Sequence, residues 1–147
     1  MKDISYDKTS ERATLTFSQE APAGPVVIAI KYKGLMNNSM AGFYRSRYKP
    51  VVTPDPSTAK DNDWHYMLST QFEACDARRA FPCFDEPNLK ATFELEMEIP
   101  DGQVAVSNMP EKAVVKGSKP GLKKVSFERT PKMSTYVSYV LFPVFVC

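Results

Sequence analysis

Side chains that could support acid–base or binding chemistry are densest in residues 69–87, with the sequence STQFEACDARRAFPCFDEP. Charged side chains are interspersed there with aromatic ones. The charged residues are Glu73, Asp76, Arg78, Arg79, Asp85 and Glu86. The last five could form a salt-bridge network that fixes the turn between two strands. That structural interpretation is the favoured one for these five as a group.

Gln71 and Glu73 form a sharper candidate site. On an extended strand, residues two apart project to one side, and the residue between them, here Phe72, projects to the other. An amide and a carboxylate side by side at a strand end could bind a polar or cationic ligand. Spacing alone does not separate this binding role from simple ion pairing of Glu73 with Arg78 or Arg79.

Nucleophilic and metal-dependent catalysis have little support in this sequence. His65 is the one histidine in the chain, so chemistry that needs two imidazoles is excluded. His65 lies next to Trp64 in a predicted strand, and we favour a packed residue or one at the rim of a site over a metal ligand. The cysteines Cys75, Cys83 and Cys147 match no zinc spacing, and we expect the first two to be buried thiols. We therefore predict no catalytic residue and no metal ligand in this chain.

Charge and hydropathy exclude several partners. The 147 residues include 19 Lys and Arg against 17 Asp and Glu, a net charge of +2. This balance gives no electrostatic basis for binding nucleic acid or a membrane. Residues 44–49 combine basic and aromatic side chains, and we favour a solvated strand face there over a nucleic-acid-binding strip. The apolar tail at 136–147 is too short to span a bilayer. Reduced cysteines and no apolar signal region predict a cytoplasmic protein.

The elements that would position these residues are mostly strands. Twelve Pro, nine Phe and seven Tyr suit an all-β protein with many turns. Residues 25–32 (PVVIAIKY) are typical of a strand covered on both faces, and residues 92–99 alternate between apolar and polar side chains. Patterns typical of strands occur at residues 13–17, 25–32, 42–48, 64–72, 92–99, 103–106, 123–128 and 135–141.

The remaining segments are turns, a loop and one short helix. Residues 74–80 have a helical pattern, with Asp76 near the start and Pro82 after the end. Residues 49–63 contain three prolines and indicate a surface loop. Together the elements predict one domain built as an antiparallel, sandwich-like β-structure with a single helical turn near 74–80.

Several motifs, in order, closely resemble the N-terminal domain of the puromycin-sensitive and aminopeptidase N family of zinc aminopeptidases. They are MAGFYRSRY (40–48), residues 69–100 from STQFEACDARR to ELEMEIP, AVSNMP (105–110) and FERTPKMSTYVSYV (127–140). The resemblance runs from about Gly34 to Leu141. It implies a saddle-like antiparallel β-domain, packed on a thermolysin-like catalytic domain that removes N-terminal residues from peptides.

The resemblance also implies roles for two residues. In the family a Gln-x-Glu element reaches the active site, and it matches Gln71 and Glu73 of this sequence. By this resemblance Gln71 would help form the pocket for the substrate's first side chain. Glu73 would help hold the free α-amino group. The family's His-Glu-x-x-His zinc motif and its Gly-x-Met-Glu-Asn loop are absent from this sequence.

We therefore expect residues 1–147 to be an incomplete N-terminal β-domain that recognises substrate but is inactive alone. Its partners would be a peptide N-terminus and the missing catalytic domain. No cofactor is expected in this chain, whereas the full-length family enzyme would carry Zn²⁺. The chain resembles a piece of a longer protein: a fragment, a truncated product or an incorrectly spliced one. The alternative is a stand-alone β-sandwich interaction module with no enzymatic role.

Overall fold

The computed structural model of the protein describes residues 2–49 and 64–144. The chain divides into two compact units, Met1–Lys31 and Tyr32–Cys147. The loop predicted at 49–63 lies, from Pro50 onward, outside the described residues. No helix in the described residues is long and apolar enough to cross a membrane.

The first unit contains one antiparallel hairpin, formed by β1 (Asp3–Asp7) and β2 (Arg12–Thr16). The Asp7 carboxylate fixes its turn, accepting hydrogen bonds from the Thr9 amide at 2.9 Å and the Ser10 hydroxyl at 2.6 Å. β2 confirms the strand predicted at 13–17, shifted by one residue. β1 has no counterpart among the predicted strands.

The strand predicted at residues 25–32 is wrong. Among the described residues this segment pairs with no strand, and its apolar side chains are exposed, Val27 by 98%. A β-branched run favours extended backbone, but a strand also needs a neighbour to accept and donate its ladder hydrogen bonds. β1 and β2 pair with each other, and neither of them pairs with this run.

Within its described residues, the second unit contains two antiparallel sheets. One has the order β3-β4-β9-β6, built from β3 (Gly42–Tyr48), β4 (His65–Gln71), β6 (Val106–Ser107) and β9 (Val140–Val144). The other has the order β5-β8-β7, built from β5 (Glu96–Pro100), β7 (Glu111–Lys116) and β8 (Leu122–Phe127). Two short 3₁₀ turns, Ala77–Arg79 and Thr135–Val137, are found in the described part of this unit. The predicted all-β antiparallel class is confirmed.

The apolar core of the second unit follows the alternation predicted for residues 92–99. Ile99 is buried with Val125 and Phe127, while Leu95 and Met97 pack against them. The glutamates between these residues are exposed. Regular pairing begins only at Glu96, although the Leu95 carbonyl still accepts the Phe127 amide at 3.0 Å.

Two other predicted elements need correction. Residues 135–141 do not form one strand: a 3₁₀ turn occupies Thr135–Val137, and β9 begins at Val140. The strand predicted at 103–106 reduces to its last residue, which opens β6. β7 was not predicted, because all six of its residues are exposed and give no burial pattern to detect.

Candidate functional site

The candidate site lies where β4 ends. The middle of β4 is buried at Leu68, Ser69 and Thr70, and the strand ends at Gln71. β3 flanks it on one side and β9 on the other, and the Thr70 hydroxyl accepts the Val140 amide at 2.9 Å. The candidate residues are therefore attached to the second strand of a four-stranded sheet rather than to a free loop.

Gly42 faces Gln71 across the sheet and needs to be glycine. Its φ is +70°, and a Cβ at this position would lie 2.6 Å from the Cβ of Arg79. Any other residue would both strain the backbone and collide with the 3₁₀ turn. Glycine thus lets the turn Ala77–Arg79 approach the start of β3, which pairs with the end of β4.

Gln71 and Glu73 are both exposed, and Phe72 between them is only 4% exposed. The Phe72 ring lies edge-on to Phe81, with 6.0 Å between the centroids. The Phe72 carbonyl also accepts the Asp76 amide at 2.9 Å, which folds residues 73–76 into a turn. The peptide bond after Glu73 is cis. Phe72 is therefore a buried anchor between two polar side chains that face solvent.

The arginines next to Glu73 are paired with other carboxylates. Arg78 Nε contacts Asp85 Oδ2 at 3.0 Å, and Arg79 Nε contacts Asp76 Oδ1 at 2.6 Å. The expected five-residue network forms in part, as these two ion pairs, and no ion pair of Glu86 is seen among the described residues. Within the described part of the chain, Glu73 takes part in no ion pair.

Asp85 is the buried centre of this network, with 8% of its surface exposed. Its Oδ2 accepts the Arg78 amide at 3.1 Å as well as Nε, and its Oδ1 accepts the Thr135 hydroxyl at 3.0 Å. Burial alone would raise the pKa of Asp85, but the hydrogen bonds from Arg78 and Thr135 outweigh it. The net pKa is lowered from the ordinary value of 3.8.

Because the pKa of Asp85 is lower in the folded state, ionised Asp85 stabilises the fold above pH 3.8. That contribution is lost as the pH falls from 3.8 through the folded-state pKa. We expect the melting temperature of the wild type to fall more steeply over this range than that of Asp85→Asn. Three exposed carboxylates also have lowered pKa values, namely Asp7, Glu96 and Glu98. Because these three affect both proteins alike, only the difference between the melting temperatures of wild type and Asp85→Asn is informative. If the melting temperatures of the two proteins fall in parallel as the pH is lowered, the lowered pKa assigned to Asp85 is wrong.

The described cysteines differ from each other, and the expectation that both are buried is wrong for Cys75. Cys75 is exposed and Cys83 is partly buried, and both are free thiols. Cys75 occupies the solvent-facing turn 73–76, which the sequence alone did not reveal. Burial, with a smaller contribution from the Asp85 carboxylate, raises the pKa of the Cys83 thiol to about 11. Cys83 is therefore protonated at neutral pH and unsuited to nucleophilic catalysis.

We expect iodoacetamide to modify Cys75 well before Cys83. At pH 8 the thiolate fraction of Cys83 is about 10⁻³, roughly 100-fold below that of an unperturbed cysteine. Partial burial of Cys83 also slows access of the reagent. Site-resolved mass spectrometry over time measures both rates, and equal rates would contradict the environment described for Cys83.

The zinc ligands of a catalytic site are not found in the described part of the chain. No three side chains of His, Cys, Asp or Glu come together there as a metal site. His65 lies in β4 with its ring 5.8 Å from that of Tyr48, an arrangement of packed side chains. A catalytic zinc needs three protein ligands and an open position, so these residues do not fit the metal.

The chain is similar to known proteins over most of its length. Residues 1–137 match the family model of the Peptidase M1 N-terminal domain. Aminopeptidase M1-D of Oryza sativa subsp. japonica is 39% identical over 144 residues, covering 97% of this chain and 15% of the relative. The alanine/arginine aminopeptidase of Saccharomyces cerevisiae is 40% identical over 140 residues, covering 92% of this chain and 15% of the relative.

A third relative, aminopeptidase 2, mitochondrial, of the same yeast, is 44% identical over 114 residues, or 78% of this chain and 11% of the relative. The chain thus spans about 15% of the length of the first of these relatives. The region that matches contains Gln71, Glu73 and Asp85. The chain belongs to the Peptidase M1 N-terminal domain family, and it corresponds to the N-terminal domain of the M1 aminopeptidases.

Proposed function

We propose that this chain is the substrate-recognition and scaffold domain of a zinc metalloaminopeptidase that removes N-terminal residues from peptides. Residues 1–147 would be part of one N-terminal β-domain, without catalytic residues of its own. The observation that carries the proposal is the end of β4, where Gln71 and Glu73 are exposed on either side of buried Phe72. Both nearby arginines are paired with other carboxylates, which leaves Glu73 available for a ligand.

An aminopeptidase must recognise the free ammonium group of its substrate. A carboxylate does so through a charge-assisted hydrogen bond, which is stronger than a bond between neutral groups. In our proposal Glu73 accepts this bond, and Gln71, two residues earlier, contacts the first side chain of the peptide. The two contacts would set where the scissile bond lies relative to the catalytic machinery.

The chemical step is assigned to a thermolysin-like catalytic domain that is the partner of this one. When bound there, Zn²⁺ would supply an activated water as the nucleophile. The described residues of this chain contribute no such site, and the relatives extend far beyond the matched region. We include a cytoplasmic location in the proposal, because free Cys75 and Cys83 suit a reducing compartment.

A stand-alone β-sandwich interaction module is the alternative function. The exposed apolar run at residues 25–32 favours it in one respect, since a binding module presents such surface to a partner. Sequencing the encoding transcript separates the two functions. A reading frame that continues past Val140 into a His-Glu-x-x-His segment supports the aminopeptidase, and one that stops supports the module.

We expect the purified 147-residue chain to hydrolyse no aminoacyl-anilide and to bind no stoichiometric zinc. The reason is the shortage of ligands, with one histidine in the sequence and no metal cluster in the described residues. Metal analysis and an anilide assay test this. The matched control is an intact family member in which residues 34–141 of this chain replace the corresponding segment, and we expect that protein to be active. One zinc per chain with metal-dependent turnover in the isolated chain would contradict the proposal.

A further inference from the structure

We infer that Asp85 is a positioning residue that fixes the turn carrying Glu73. The inference rests on the proposed function, since it explains how the recognition element keeps its place. Asp85 does not contact the peptide in this account. It acts through Arg78 and Thr135, the two residues to which its carboxylate is hydrogen-bonded.

The segment that carries Glu73 is held on both sides. On the N-terminal side, Phe72 is buried against Phe81, and its carbonyl accepts the Asp76 amide at 2.9 Å. On the C-terminal side, the Arg78 amide donates to Asp85 Oδ2 at 3.1 Å. Glu73 lies between these anchors, so its position depends on both.

Asp85 also connects this turn to a distant part of the chain. Its other oxygen accepts the Thr135 hydroxyl at 3.0 Å, and the neighbouring Ser134 hydroxyl donates to the Pro87 carbonyl. β9 follows soon after and returns to β4, where the Val140 amide donates to the Thr70 hydroxyl at 2.9 Å. These bonds form a closed ring that starts and ends on β4, next to Gln71.

Only a carboxylate satisfies all the donors in this ring. One oxygen of Asp85 accepts two N–H groups of Arg78, and the Arg78 Nη2 donates to the Asp85 carbonyl at 3.3 Å. The other oxygen is occupied by Thr135. An asparagine keeps the volume but has one acceptor oxygen and no charge, so it weakens the contact to Arg78 without leaving a cavity.

Hydrogen exchange on the 147-residue chain tests the local effect. In Asp85→Asn we expect the amides of Asp76 and Arg78 to exchange roughly 10-fold faster, because the turn opens more often. Amides in β5 and β8 should accelerate less than these two, and by no more than the loss of global stability that thermal unfolding of Asp85→Asn gives. The control Asp101→Asn, on the exposed turn after β5, should leave all of these amides unchanged. Uniform acceleration across the chain, or no change at the turn, would overturn the inference.

A double-mutant cycle in the grafted aminopeptidase tests the link to Glu73. Asp85→Asn should lower kcat/KM roughly 5- to 20-fold when Glu73 is present and less than about twofold when Glu73→Gln is already in place, because its effect passes through Glu73. Equal effects in both backgrounds would show that Asp85 does not act through Glu73, and would overturn the inference.

The two arms separate failure of this inference from failure of the proposed function. If Glu73→Gln alone leaves kcat/KM unchanged, the proposed function is wrong, and the exchange rates at Asp76 and Arg78 still decide whether Asp85 positions the turn. If the grafted enzyme does not fold, the same exchange rates decide. Normal exchange at the turn overturns the positioning role whatever the kinetics.

Discussion

Replacing Glu73 by Gln, in an intact aminopeptidase carrying residues 34–141 of this chain, is expected to lower kcat/KM roughly 10- to 150-fold. The substitution keeps the shape of the side chain and removes its charge. A hydrogen bond to a charged group contributes about 1.5–3 kcal/mol, and loss of that free energy gives the stated range. Glu73 takes part in no ion pair among the described residues, so the effect on stability should be small.

Two further variants make this prediction specific. Gln71→Ala should change which first residue is preferred, because Gln71 is proposed to contact the side chain of that residue rather than its amine. Glu86→Gln is the matched control, an exposed glutamate in the same segment, and should leave kcat/KM within about twofold. If Glu73→Gln lowers the melting temperature and leaves kcat/KM unchanged, Glu73 has a structural role and the recognition proposal is wrong.

The largest effect on stability is expected from Asp85→Ala in the 147-residue chain. Asp85 is buried and binds Arg78 and Thr135, so its removal leaves the Arg78 side chain, 29% exposed, without its ion pair. Removing one partner of a buried pair costs 3–5 kcal/mol, and partial exposure of Arg78 places the expected loss at the lower end, about 3 kcal/mol. That loss corresponds to a fall in melting temperature of roughly 6–12 °C for a chain of this length.

An exposed ion pair provides the control for Asp85→Ala. Arg129 pairs with Glu94 on the surface of the second unit, with side chains 67% and 63% exposed. Such pairs contribute less than about 1 kcal/mol, so Arg129→Ala should barely move the melting temperature. Thermal unfolding of both variants gives the comparison. An effect of Asp85→Ala no larger than that of Arg129→Ala would contradict the central place of Asp85 in the network.

Strands with a clear local side-chain pattern could be predicted well. β3 has the predicted bounds, and β4 and β8 differ from prediction by one residue at each end. Their side-chain patterns are local and reflect burial directly. Residues 25–32 have an equally strong pattern, but pairing depends on other parts of the chain, and none of the described strands pairs with them. A propensity for extended structure is therefore not sufficient for a strand.

The candidate site, like the fold, could be predicted from the sequence only in part. The exposure of Gln71 and Glu73 on either side of buried Phe72 follows from local spacing. The carboxylate partner of each arginine could not be predicted from local spacing, because Glu73, Asp76 and Asp85 are all close to Arg78 and Arg79 in sequence. The bond between Asp85 and Thr135 joins residues 50 apart, and no local pattern signals it. Long-range hydrogen bonds of this kind need the fold.

A crystal structure of the grafted aminopeptidase with a bound peptide or peptide analogue tests the central proposal most directly. We expect a carboxylate oxygen of Glu73 within about 2.7–3.2 Å of the α-amino nitrogen, the range of a direct hydrogen bond. The Gln71 side chain should contact the first side chain of the ligand. A bound ligand whose α-amino group is held by other residues, with Glu73 turned to solvent or paired with an arginine, would contradict the account.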